Sequence, residues 1–416
     1  MINRLFKSTF LFTLIVILSC GNVEADKNRT QSSSTKNKNH INSSEEIIED
    51  IVVGANQTDL YMPLLHGKKV GVVGNQSSLI LNKNKEYVHL VDSLLALNVA
   101  LKKVFAPEHG FRGKADAGEK VEDGKDPKTG LPVISLYGNN KKPKPEQLED
   151  IEILIFDLQD VGARFYTYIS SLHYVMEACA ENNIKLLVFD RPNPNGHYVD
   201  GPILEKEYQS FVGMHPIPVV HGLTMGEYAK MINGENWLKN GIHCNLQVIK
   251  MSNYDHQKKY SLPVKPSPNL PNDKSINLYP SLCFFEGTNV NAGRGTHKQF
   301  QVFGSPFLNA KEFSYTYTPL SMDGAKSPKH LGEKCFGEDL SESTYLNKIN
   351  LKWLIRAYNN TENKAGLFNS FFTKLAGTEK LQKQIENGLS EEEIRSTWKS
   401  GLKQFKIKRE QYLLYQ

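Results

Sequence analysis

Carboxylates, imidazoles, guanidiniums and phenols gather directly behind short apolar runs in this chain. Leu101–Ala106 is followed by Pro107-Glu108-His109-Gly110-Phe111-Arg112-Gly113. Behind Ile153–Phe156 come Asp157-Leu158-Gln159-Asp160 and then Val161-Gly162-Ala163-Arg164-Phe165-Tyr166-Thr167-Tyr168. Leu186–Phe189 leads into Asp190-Arg191-Pro192-Asn193-Pro194-Asn195-Gly196, and Val70–Gly74 into Asn75-Gln76. Such an inventory suits glycoside hydrolysis, in which one carboxylic acid protonates the leaving oxygen and a second group serves the opposite face. Glu108 is the candidate acid, set between Pro107 and a glycine-bounded loop. Asp157 and Asp160 either face a crevice or cap the helix that starts near Arg164. Asp190 and Arg191 form an internal pair or bind sugar hydroxyls.

Two later segments add to the set. Pro266-Ser267-Pro268-Asn269-Leu270-Pro271 is a rigid loop that core packing does not explain. Phe285-Glu286-Gly287-Thr288-Asn289 runs into Gly293-Arg294-Gly295-Thr296, a second carboxylate and a cation on flexible backbone. Candidate catalytic residues are thus Glu108, His109, Asp160 and Glu286. Candidate substrate-binding residues are Asn75, Arg112, Asp157, Arg164, Tyr166, Tyr168, Asp190, Arg191, His221, Asn269, Asn289 and Arg294.

Other chemistries are poorly served. The glycine pattern lacks the Gly-Lys-Ser/Thr of a phosphate loop, no strand–GxGxxG–helix unit occurs, and no GxSxG elbow presents a serine. His109, His221 and Glu227 match no metal-ligand spacing, and Cys179, Cys244, Cys283 and Cys335 form no CxxC pair. We therefore expect neither metal nor cofactor. Fifty Lys and Arg against 45 Asp and Glu give a net charge of +5, with both signs interspersed. A nucleic-acid binder concentrates its basic residues, so no nucleic-acid partner is expected.

The elements that must position these residues read as α/β. Val70–Gly74, Leu101–Ala106, Val133–Leu136, Ile151–Phe156 and Leu186–Phe189 are apolar throughout, as strands buried on both faces are. Tyr87–Leu97, Ile169–Cys179 and Met225–Ile232 read as helices, and Cys283 falls in a strand-like run. The order predicts a Rossmann-like, mainly parallel sheet with helices on both faces, whose ligands sit beyond the carboxyl ends of the strands. Past about residue 300, aromatic and turn residues mix before a helical end. There Ser390 and Glu393 read as a capping box, and Leu381, Ile385 and Leu389 share a face. We assign 45–300 to the Rossmann-like domain and 301–416 to a smaller α+β domain.

The N-terminus reads as an export signal, with Arg4 and Lys7 before the apolar Leu11–Leu18 stretch, which is too short to span a bilayer. Ile17-Leu18-Ser19-Cys20 resembles a lipobox. It predicts a signal peptide over 1–20, lipidation at Cys20, a disordered tether over 21–44 and a membrane-anchored protein of the bacterial cell envelope.

Taken together, PEHGFRG (107–113), FDLQDVGARFYTY (156–168), DRPNPNG (190–196), HGLTMGE (221–227), PSPNLP (266–271) and FEGTN with GRGT (285–296) resemble the NamZ-type exo-β-N-acetylmuramidase family, in the family's order. Asn291 stands where the family's pattern has Ser. The resemblance implies a Rossmann-like domain, a smaller C-terminal domain and a cleft between them. It implies release of terminal β-1,4-linked N-acetylmuramic acid from peptidoglycan fragments without nucleotide or metal, and it puts the catalytic glutamate at Glu108. A non-catalytic muropeptide-binding surface lipoprotein is the alternative reading.

Overall fold

In a computed structural model, residues 50–112 and 123–415 are described. The signal segment, Cys20, the tether and Gly113 lie outside the described residues. Strands follow in the order β1 (Lys69–Gly74), β2 (Leu79–Leu81), β3 (Tyr87–His89), β4 (Ala100–Ala106), β5 (Gly124–Lys125) and β6 (Pro132–Ser135). Next come β7 (Ile153–Asp157), β8 (Lys185–Phe189), β9 (Leu246–Ile249), β10 (Val302–Ser305), β11 (Tyr315–Tyr317) and β12 (Cys335–Asp339).

Seven of them form one sheet in the order β5-β6-β4-β1-β7-β8-β9. All its pairings are parallel except β5 with β6 at one edge. Alternate side chains of the central strands enter two separate cores. Val70, Val72, Ile153, Ile155, Leu187 and Phe189 meet Tyr61 and Leu65 of the helix Thr58–Leu65 and Leu90, Val91 and Leu94 of the helix Leu90–Ala96. Val73, Leu154, Phe156, Leu186 and Val188 meet Ile169, Leu172, Val175 and Met176 of the helix Tyr168–Glu181 and Tyr228, Ala229, Met231 and Ile232 of the helix Met225–Gly234. The uninterrupted apolar runs are the consequence of this two-sided burial, each fully buried side chain contributing roughly 1.5–3 kcal/mol. In β4, Leu101 and Val104 share a core despite their odd spacing. The register with β1 slips by one between Val70 and Gly71, which turns the strand.

Two expected elements differ. Tyr87–Leu97 is not one helix: Tyr87–His89 pairs antiparallel with Leu79–Leu81, and the helix begins at Leu90, with the His89 ring accepting from Val91 N. Tyr-Val-His has strand-forming chemistry, and the pairing offered by β2 decides for it. Cys283 stands in a 3-10 turn, Cys283–Gly287, continuing the helix Asp273–Leu282.

The C-terminal part carries a small antiparallel sheet, β10-β12-β11, and a group of helices. Its last helix, Glu391–Glu410, starts at the Ser390–Glu393 capping box and buries Ile394, Trp398 and Phe405.

Candidate active site

The chain leaves β1 for β4 and β6 on one side and returns to β7 on the other, so the order reverses between β1 and β7. In doubly wound sheets the crevice lies at the carboxyl ends of the strands flanking such a reversal. A cleft of about 940 Å³ opens there. Its walls come from the loop after β4 (Glu108, His109), from Tyr137 beyond β6, and from Tyr166, Thr167 and Tyr168 at the start of the helix after β7. Ser267 and Asn269 of the proline-bounded loop and Glu286, Asn291 and Arg294 join them, with Lys326 and Lys329 from the β11–β12 connection.

Glu108 sits where β4 ends, and the next two residues, His109 and Gly110, both have positive φ (72° and 77°). Positive φ is uncommon for any residue but glycine, so at His109 this turn is held by its surroundings. The Glu108 carboxyl is gripped from two directions. Thr167 donates from Oγ1 to Oε2 at 2.9 Å. The Tyr137 phenol donates to the same side chain, and burial together with this carboxylate pushes the phenol's pKa up.

Glu286 and Arg294 meet in the cleft, Nε to Oε1 at 3.0 Å, each side chain about one-quarter exposed. Arg294 also lies over the Phe300 ring, 5.3 Å from its centroid. Its terminal nitrogens make no hydrogen bond to the described residues. They present a planar fork of the kind that takes a carboxylate. Asn269 is buried in the wall; its amide donates to Gly324 O at 2.6 Å while Oδ1 has no partner among the described residues.

Behind this lining stands a second group of the residues singled out from sequence. Asn75 is wholly buried and donates to the Tyr168 phenol at 2.7 Å, while Tyr166 donates to Pro266 O at 2.7 Å. Asp157 and Arg191 close on each other in a bidentate pair (2.6 and 2.9 Å), locking the end of β7 to that of β8. Asp190 accepts from Thr224 Oγ1, Gly226 N and the Tyr415 phenol, and burial pushes its pKa up to about 6. Arg112 pairs with Asp126 at 2.8 Å and lies over Phe111. Arg164 is fully buried and donates to four carbonyls, those of Pro202, Ile217, Leu375 and Ala376. Asp160 accepts from Gly162 N, 3.8 Å from His221 Nε2. None of Asn75, Arg112, Asp157, Asp160, Arg164, Asp190, Arg191, His221 or Asn289 lines the cleft.

Tyr137, Thr167, Phe300 and Lys329 were not singled out from sequence. Thr167 lies inside the quoted FDLQDVGARFYTY segment, so the motif itself carries its signal. Tyr137 and Lys329 stand in loops with no neighbouring pattern.

The fold and cleft define an α/β protein whose switch-point site is built on acids and a guanidinium rather than on a nucleotide-binding loop. Residues 70–274 match the N-terminal family model, and residues 277–415 the C-terminal one, of the exo-beta-N-acetylmuramidase NamZ. The chain belongs to the NamZ family. It is 40% identical over 377 residues to the peptidoglycan beta-N-acetylmuramidase NamZ of Bacillus subtilis (strain 168), covering 85% of this chain and 89% of that protein. Two crystal structures of DUF1343 family proteins from Bacteroides fragilis NCTC 9343 are similar, at TM-scores of 0.81 and 0.72 and identities of 47% and 28%. Each comparison covers 88% of this chain and 99% of the other.

Proposed function

We propose that this protein is an exo-acting glycoside hydrolase that releases terminal β-1,4-linked N-acetylmuramic acid from the non-reducing ends of peptidoglycan fragments, in cell-wall turnover or recycling. The observation that carries this reading is the Glu108 carboxyl, fixed by Thr167 and Tyr137 in a switch-point cleft of a NamZ-family chain. Glu108 gives its proton to the glycosidic oxygen as the bond to the anomeric carbon breaks. Glu286, in the same cleft, stabilises the positive charge that develops on the sugar or activates the water that attacks it. Water supplies the hydroxyl of the released sugar, and its remaining proton returns to the acid–base pair.

Muramic acid differs from glucosamine by a lactyl carboxylate. The fork of Arg294 supports a bidentate contact with that group, and Tyr166 offers an apolar ring edge to a sugar in the cleft. The leader sequence supports export and lipid anchoring at Cys20, which would tether the enzyme in the cell envelope beside its substrate.

The test is hydrolysis of a chromogenic β-N-acetylmuramide and of the matching β-N-acetylglucosaminide by the wild type and Glu108→Gln. Release from the muramide, reduced on the order of 100-fold or more in the variant, supports both activity and acid. Binding of the muramide without release by the wild type overturns the proposal in favour of a muropeptide-binding protein.

A further inference from the structure

Beyond Gly287 the segment that brings Asn291 and Arg294 to the cleft belongs to no helix or long strand, so its carbonyls need partners from elsewhere. Two of them, those of Thr288 and Val290, converge with the Phe285 carbonyl of the preceding 3-10 turn on a single ammonium. Lys329 Nζ donates to Phe285 O and Val290 O, each at 3.0 Å, and to Thr288 O. The next residue, His330, donates from Nε2 to Asn289 O at 2.6 Å. In the other direction Asn291 Nδ2 donates to Lys329 O at 2.8 Å and to Arg294 O at 3.1 Å. Two adjacent residues thus engage four carbonyls of one short stretch, and the stretch holds them in return.

An ammonium has three N–H groups, and all three of Lys329 are used on backbone oxygen. Although the side chain lines the cleft, it has no donor left for a substrate. Converging carbonyls around a compact positive charge are also how a bound monovalent cation is held. We propose that Lys329 is a positioning residue: its ammonium occupies the place of a structural cation and sets the 285–294 segment in the shape that presents Glu286 and Arg294 to the sugar. The consequence for catalysis rests on the hydrolase reading above; the consequence for the segment's shape does not.

The experiment uses the full-length protein as wild type, Lys329→Ala and Lys329→Gln. Each is assayed on the chromogenic muramide and melted thermally with added methylammonium or, at equal ionic strength, tetramethylammonium. Methylammonium fits the vacated ammonium position and carries three N–H donors; tetramethylammonium carries none. Lys329→Ala is expected to lose on the order of 100-fold in kcat/KM, as misplaced catalytic groups do. Methylammonium should restore part of that loss and raise the variant's Tm while leaving the wild type unchanged. If Lys329→Ala does not fold, Lys329→Gln is read with the same additives, since its amide keeps two donors without the charge. An unchanged kcat/KM in the folded variant, or equal responses to the two additives, overturns the proposal. If the wild type releases nothing from the muramide, the hydrolase reading fails. The methylammonium-specific rise in the variant's Tm still decides the role of Lys329.

Discussion

Thr167 donates its hydroxyl to Glu108 Oε2 at 2.9 Å, although it stands at the N-cap of the helix Tyr168–Glu181. A threonine at that position ordinarily accepts from an N–H of the first turn, worth about 1 kcal/mol. Here its backbone is already helical and it makes no capping bond, so the hydroxyl serves the carboxyl instead. Thr167→Val should therefore leave Tm nearly unchanged while kcat on a β-N-acetylmuramide falls roughly tenfold, the equivalent of one hydrogen bond. Thr167→Ser should keep the rate. A valine variant with full kcat would show that Tyr137 and the turn suffice to orient the acid.

Arg294 is expected to govern selectivity rather than general turnover. Arg294→Lys keeps a charge beside Glu286 but loses the planar fork. Its kcat/KM should drop on the order of 10-fold or more for muramides and distinctly less for glucosaminides. The ratio of the two measured in parallel is the readout, and equal losses would move lactyl recognition to another residue.

Asp160 should make its mark on stability against pH. Burial pushes its pKa up to about 7 in the folded protein, against roughly 4 in an unfolded chain. The folded state therefore binds more protons between those values, so this group's contribution to stability declines as pH rises from about 4 to about 7 and is level above. Its neighbour His221 stays neutral throughout, burial and nearby arginines holding its pKa down at about 3. His221 Nδ1 accepts from Leu223 N, which leaves the proton on Nε2, aimed toward Asp160. Asp160→Asn keeps an acceptor for Gly162 N and removes the titration. Relative to wild type, the variant should gain roughly 4 kcal/mol between pH 4 and pH 8 in denaturant unfolding. A difference independent of pH would mean that Asp160 is ionised in the fold.

Arg164 joins distant parts of the chain through four carbonyls, two of them at the end of the short helix Phe372–Ala376. Burial lowers its pKa to about 9, and dipoles rather than a carboxylate surround its charge. Replacing it with Met leaves several buried acceptors unpaired and should cost about 3 kcal/mol or more. Gly377→Ala should also destabilise, because φ there is +73° and a Cβ would sit 2.6 Å from Arg164 Nη2. In both variants the preference for muramide over glucosaminide should be retained by whatever protein remains folded; a changed preference would tie Arg164 to the substrate.

The parallel sheet was legible because two-sided burial leaves an unbroken apolar run, as in Ile153–Phe156 and Leu186–Phe189. The edge strand β9 was not, since Leu246–Val248 is only partly covered and Gln247 interrupts the run. Pro280 similarly disguised the helix Asp273–Leu282. The location of the site could be read from polar clusters at strand ends, but its membership could not. Asp157 and Arg191 turn toward each other, and Asp190 toward Thr224 and Tyr415, while Glu108 reaches the cleft; a strand end followed by acid and base looks the same in each case. Lys329 gave no signal because its partners are backbone oxygens, which every sequence possesses.

The strand order has a kinetic implication. β4 lies beside β1 and β6 beside β4, and then β7, β8 and β9 add in turn along the other flank. Each large-sheet strand after β1 pairs with one already synthesised, except β5, whose partner β6 follows within a few residues. No strand has to wedge between two that are already joined. A nascent chain can therefore extend its sheet outward in the order of its synthesis, with the slow long-range closures of a parallel sheet taken one at a time.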